Sequence, residues 1–282
     1  MLEWLVLPFT YGFMQRGLVA ALIVGVLCAV IGCYVVLRSM AFLGDAMAHA
    51  VLPGVAIAYL VGGNLSLGAL AAAVVVALGI GFFSRKGAVR EDTAIGILFS
   101  AALSLGVVLI SSIRTYAVDL SHILFGNVLG ISNSDLWLTG GLGFAILLTL
   151  LLAYKPFLVI SFDPVLALTL RLRVEFFRLL LLILLALTIV ISMQTVGVGL
   201  VAAMLVTPAA TAFLLTRRLT AMMLVSAVLG MLSSLIGLYV SYYLNVASGA
   251  AIVLTATLFF LLAFLFAPRR GLVVEKLKTL LH

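Results

Sequence analysis

Charge is what this chain has least of. Only 9% of its 282 residues are Asp, Glu, Lys or Arg, against about a quarter in soluble domains. Instead, 66% are hydrophobic, and the mean hydropathy is +1.40. An ordinary soluble domain is excluded, and no sizeable one fits beside so much apolar sequence. Cysteine is nearly absent. Cys28 and Cys33 are the two present; they form no metal-type spacing and no disulfide framework, and they read as small core residues. Motifs for ATP or covalent chemistry are missing: no GxxxxGK[ST] phosphate loop, no HExxH, no GxSxG and no CxxC. An enzyme would have to rest on two intramembrane groups alone, so that class is set aside. There is no clear repeat and no low-complexity tract. The first apolar run is long and followed by many others, which argues against a cleaved signal peptide.

What is there is a series of long apolar runs. A helix needs about 20 mostly apolar residues to cross a bilayer, and nine runs qualify: 17–37, 42–62, 66–83, 92–112, 135–153, 178–196, 198–216, 220–242 and 250–267, with eight as the lower count. They are too long for barrel strands and lack alternation. The expected fold is all-α, one polytopic transmembrane domain spanning 1–282. Lys and Arg cluster in alternate connections. Arg38, Arg85, Lys86, Arg90, Lys155, Arg171, Arg173, Arg178, Arg217, Arg218, Arg269, Arg270, Lys276 and Lys278 fall on one side, and only Arg16 and Arg114 on the other, 14 of 16 against 2. The positive-inside rule makes the first side cytoplasmic, so the N-terminus is expected outside and the C-terminus inside, with the chain in a prokaryotic plasma membrane.

Two connections are more than turns. The outer stretch Arg114 to Asp135 is half apolar and is expected to form a short helix on or dipping into the protein. The inner stretch 161–177, "SFDPVLALTLRLRVEFF", places Asp163 before Pro164, a helix start with an aspartate cap and proline in the first turn. Its apolar face suits either the membrane surface or a docking partner.

One span carries chemistry. In "GDAMAHAVLPGVAIAYL", Asp45 and His49 stand four apart and share a helix face. An aspartate at mid-span costs about 2.5–3.5 kcal/mol on translocon scales, and less near an end. Such groups face a cavity or a partner and mark substrate paths. A helix-start cap would explain Asp45 but not His49, one turn deeper. A carboxylate and an imidazole at this spacing form half a site for a divalent first-row metal. The same pair could instead serve as a proton relay in an ion-coupled transporter or channel. Pro53, one turn beyond His49, and Pro208 are expected to kink their spans. Gly197 and Gly199, in "TVGVGLVAAMLVTPAATA", read as a tight helix seam. His122 with Asp119 reads as a solvated loop pair, His282 as an exposed terminal residue, and Gly126 and Gly130 as a weak helix-contact pattern.

Five stretches together resemble the membrane permease subunits of ATP-binding-cassette importers for manganese, zinc and iron(II): "LRSMAFLGDAMAHAVLPGVAIAYL", "EDTAIGILFSAALSLGVVL", "LFGNVLGIS", "SFDPVLALTLRL" and "TVGVGLVAAMLVTPAATAFLL". The likeness covers nearly the whole chain. It implies that Gly44, Asp45 and His49 belong to a motif associated with metal passage, and that Phe162, Asp163, Pro164, Ala167 and Leu168 lie in the loop that docks the ATPase. It also implies a homodimer of permeases in the lipid bilayer, two cytoplasmic ATPases and an extracellular metal-binding protein, with no nucleic acid and no permanently bound cofactor. Manganese is the leaning for the transported ion, because the motif runs on as "AHAVLPGVA" where manganese relatives have "SHAVLPGVA"; zinc and iron(II) are the alternatives. This chain has Arg171 where the family usually has Gly, a departure that bears on the bend after the docking helix and not on docking itself.

Overall fold

The computed structural model describes residues 7–85, 89–112 and 130–267. The outer stretch expected to hold a short helix, with Asp119, His122 and Gly126, lies mostly outside the described residues, as does His282. Among the described residues there are twelve α-helices and no strand. They are α1 (Gly12–Leu37), α2 (Phe42–Ala50), α3 (Leu52–Leu60), α4 (Leu65–Phe83), α5 (Glu91–Ser111), α6 (Asn133–Leu152), α7 (Tyr154–Phe162), α8 (Pro164–Thr169), α9 (Val174–Val196), α10 (Val198–Leu215), α11 (Leu219–Leu244) and α12 (Ser248–Phe266). Among the described residues, nine segments are long and apolar enough to cross a membrane, with α2 and α3 together forming one of them, Phe42–Leu60. Apolar side chains dictate helix here, since a chain in hydrocarbon must satisfy its own backbone.

Local chemistry sets the ends. Asn64 accepts from the N–H groups of Ser66 (2.8 Å) and Leu67 (3.3 Å) and starts α4. Ser132 and Asp135 form a reciprocal capping box at the start of α6. Gly197, at φ +86°, separates α9 from α10, a backbone angle that glycine adopts without strain.

The interior is organised around α1, which packs against α10, α11, α6 and α9. Its closest seams depend on missing side chains. A Cβ added at Gly32 would collide with the Leu205 carbonyl of α10, and one at Gly25 would stand 2.9 Å from Ser234 Oγ and 3.1 Å from the Gly230 carbonyl of α11. Hydroxyls on α11 then reach the α1 backbone: Ser226 donates to the Ala29 carbonyl at 2.9 Å and Ser234 to the Ala21 carbonyl at 3.0 Å. In lipid such bonds contribute about 0.6 kcal/mol each. The two cysteines are buried in this interior, unbonded to each other.

One helix was not foreseen. Residues 154–162 form α7 directly after α6, where "YKPFLV" reads as a connection because Lys155 and Pro156 interrupt the apolar run. Phe157 explains why it folds back: its ring is buried edge-on against Tyr34 of α1 (5.6 Å) and Phe177 of α9 (5.9 Å).

Candidate metal path and docking helix

Asp45 and His49 lie on α2, near the end of the bundle that carries most of the arginines. Helix α2 begins at Phe42 with Ala41 in the capping position, and no side chain caps it. Asp45 is therefore inside the first turn rather than at the cap, where the helix dipole still favours a carboxylate. The two groups meet: His49 Nε2 stands 3.6 Å from Asp45 Oδ1, with the imidazole 30% and the carboxylate 48% exposed. Their neighbours Leu43, Gly44, Ala46, Met47, Ala48 and Ala50 are all buried. The helix thus turns one polar face outward and seats the rest against α10 and α9.

The pair has an aromatic flank. Phe99 of α5 sits with its ring 6.3 Å from the imidazole and 5.6 Å, edge-on, from Phe42. Beyond His49 the hydrogen-bond ladder is interrupted. Pro53 has no N–H to give the His49 carbonyl, which instead meets the N–H of Val51 at the break between α2 and α3. Close packing holds this break in place. A Cβ at Gly106 of α5 would lie 2.8 Å from Leu52 Cβ and 3.1 Å from Pro53 N, and Gly54 and Gly68 leave each other no room for a side chain. Pro208 is buried inside α10, while a side chain at Gly199 would meet nothing within 4 Å.

Two ligand groups are few. Among the described residues, no cluster of three or more His, Cys, Asp or Glu side chains could hold a metal. An isolated copy offers one oxygen donor and one nitrogen donor to a cation, a set that suits a divalent first-row ion held weakly.

At the same arginine-rich end, Asp163 caps α8 as the sequence implies, accepting from Val165 N (2.9 Å) and Leu166 N (3.0 Å), with Pro164 as the first helical residue. Ala167 is fully buried beneath the helix, whereas Leu168 is 64% and Phe162 62% exposed, and Val165, Leu166 and Leu170 are exposed with them. The bend that follows is kept although glycine is absent: Arg171 adopts φ +54°, which costs an L-residue about 1–2 kcal/mol.

Charged groups that the sequence shows only as span edges converge nearby. Arg178 of α9 donates to the Gly81 (2.8 Å) and Ser84 (3.3 Å) carbonyls that end α4, and pairs with Glu175 at 3.1 Å. Arg38, at the end of α1, lies within electrostatic reach of both Glu91 and Arg178; burial pulls its guanidinium down from the ordinary value, and Glu91 opposes that shift. Only the fold brings these groups together, because Arg38, Glu91 and Arg178 are far apart in sequence.

A bundle of nine spans, one polar pair set into a span, and an apolar helix displayed at the charged end define a multi-pass membrane transport subunit. Residues 10–267 match the ABC 3 transport family, and the chain belongs to it. The manganese transport system membrane protein MntC of Halalkalibacterium halodurans is 50% identical over 266 residues, covering 94% of this chain and 91% of that protein. The manganese import system permease protein ScaB of Streptococcus parasanguinis is 44% identical over 260 residues, 92% of each. Among solved structures, PsaBC from Streptococcus pneumoniae in complex with a Fab superposes with a TM-score of 0.85 at 41% identity, covering 98% of this chain and 99% of that one.

Proposed function

We propose that this chain is the membrane permease of an ATP-driven importer of divalent metal, with manganese as the cargo and Asp45 and His49 as its ligands on the way through. The permease is not itself an enzyme; hydrolysis belongs to a separate subunit. The observation that carries the reading is the contact of a carboxylate and an imidazole, 3.6 Å apart and partly exposed, in a span whose other faces are packed. Manganese follows from relatives named for manganese transport at 50% and 44% identity. Ligand chemistry alone would not choose it, since nitrogen and oxygen donors bind zinc more tightly.

The site is completed by symmetry. A second copy across a two-fold axis brings a second carboxylate and a second imidazole to the same ion, four ligands in place of two. The ion in turn supplies the countercharge that a carboxylate in a span otherwise lacks. The arginine-rich end is cytoplasmic by the positive-inside rule. Phe162 at the end of α7 and Val165 and Leu168 of α8 are offered there to the ATPase, and an extracellular binding protein delivers metal to the other end. Zinc and iron(II) are the alternative cargoes.

The decisive experiment is metal uptake into proteoliposomes holding the permease and its ATPase. Manganese entry that requires ATP and survives an uncoupler of the proton gradient supports the importer. Entry that follows the proton gradient without ATP overturns it in favour of an ion-coupled transporter. Orientation is checked by cysteine labelling in a background without Cys28 and Cys33. Ser132→Cys should react with an impermeant maleimide in intact cells and Thr169→Cys should not; both positions are exposed.

A further inference from the structure

At the arginine-rich end, Arg38 stands within electrostatic reach of both Glu91 and Arg178, and Arg38 and Glu91 are not paired. Arg178 holds Glu175 and the Gly81 and Ser84 carbonyls through its terminal nitrogens, while its Nε is buried without a partner. Arg38 Nη1 and Glu91 Oε1 are both buried and neither has a hydrogen-bond partner. They lie within electrostatic reach of each other, and Arg178 repels Arg38. Yet no ion pair within 4.0 Å joins Arg38 to Glu91 among the described residues. Leaving buried polar atoms of two opposite charges unpartnered within electrostatic reach of each other is unfavourable compared with pairing them. A protein that moves between states tolerates such an arrangement when another state closes it.

The positions give that closure a consequence. Arg38 opens the short turn leading into α2, and Asp45 stands seven residues on. Glu91 is the first residue of α5, whose Phe99 lies two turns further along, beside His49. Drawing Arg38 and Glu91 together would therefore pull on both helices that shape the surroundings of the polar pair, at the end through which cargo leaves.

We propose that Arg38 and Glu91 form a latch: they close into a direct ion pair in one state of the transport cycle and part in the state described above, coupling movement of the α1–α2 turn and α5 to opening of the metal path. The latch rests on the transporter reading, but its test does not depend on which metal is carried.

The test uses the permease assembled with its ATPase. In a background lacking Cys28 and Cys33, Arg38→Cys with Glu91→Cys is cross-linked by a short bifunctional reagent, without nucleotide and then with ATP and vanadate. The latch predicts at least a several-fold difference in yield between the two conditions. Equal yields in both would overturn it, whether or not manganese is transported. A second set of variants exchanges the charges. Arg38→Glu and Glu91→Arg should each cut ATP-driven uptake by tenfold or more, while Arg38→Glu with Glu91→Arg recovers at least a third of it. A double variant no better than the singles, at equal assembly with the ATPase, would overturn the pairing. If the Arg38→Cys with Glu91→Cys permease switches its cross-linking yield with ATP and vanadate while the wild type hydrolyses ATP but carries no metal, the importer reading fails and the latch stands.

Discussion

Along the seams of α1 with α10 and α11, glycines at 25, 32 and 230 bring backbones together, and serines on α11 close onto α1 carbonyls. Along α2 to α5 glycines also permit close approach, at 54, 68 and 106, but there the backbone ladder is broken by Pro53 and the outward side chains are Asp45 and His49. Both regions use small residues to exclude lipid. In the first, Ser226 and Ser234 are spent on internal bonds to α1 carbonyls. In the second, the carboxylate and the imidazole face each other beside the Phe99 ring and stay partly exposed, and on the proposed reading an ion that binds and departs offsets the cost of holding them in a span. On the proposed reading the difference separates a frame from a path: a carboxylate and an imidazole stay partly exposed where the cargo is proposed to pass.

If the α1 seams are the frame, disturbing them should cost the whole molecule. Gly32→Val drives a branched side chain into the Leu205 backbone, which cannot yield as a side chain could. A loss of about 3 kcal/mol or more is expected, seen as absence of a monodisperse folded species in detergent. A stable, functional Gly32→Val would erase the distinction between frame and path. On the docking side, Leu168→Asp places a charge on an exposed apolar helix without touching the buried anchor Ala167. It should weaken ATPase association by about 2 kcal/mol, or roughly thirtyfold, with the permease still folded; co-purification measures it. Unchanged co-purification would move the docking surface elsewhere.

Smaller effects sharpen the comparison. Phe99→Leu keeps apolar volume but removes the ring beside His49 and Phe42. Loss of about 1 kcal/mol of ring contact should lower uptake a few-fold and leave the melting temperature near that of the wild type; an equal loss of both would make Phe99 part of the frame. Arg171→Gly relieves the left-handed strain at φ +54° but adds chain entropy of similar size. Its melting temperature should shift by no more than about 2 °C in either direction, with docking intact.

Much of the frame is readable from hydropathy, because lipid forces apolar runs into helices: segments 42–62 and 66–83 of the sequence become Phe42–Leu60 and Leu65–Phe83. The Asp163 cap is equally legible, since Asp-Pro before an apolar stretch acts through bonds to nearby N–H groups. Helix α7 was hidden, because Lys155 and Pro156 look like a connection and only Tyr34 and Phe177, distant in sequence, show why Phe157 is held. At the site, the i, i+4 spacing announces that Asp45 and His49 share a face. Nothing local announces Phe99 beside the imidazole or Glu91 within electrostatic reach of Arg38, because those neighbours come from other spans. The same limit applies to Ser84, which looks like an accessible loop residue but is buried at the end of α4.

The central claim is that cargo passes through Asp45 and His49. Its most direct test is ATP-driven manganese uptake by Asp45→Asn and His49→Ala permeases, reconstituted with their ATPase at matched amounts and with hydrolysis and thermal stability recorded alongside. Asparagine keeps the size of the aspartate and could serve a helix start equally well, so a purely structural role leaves uptake intact. The metal-path account predicts that uptake in each variant falls at least about tenfold while the permease still folds and holds its ATPase. Wild-type uptake in both variants would contradict it.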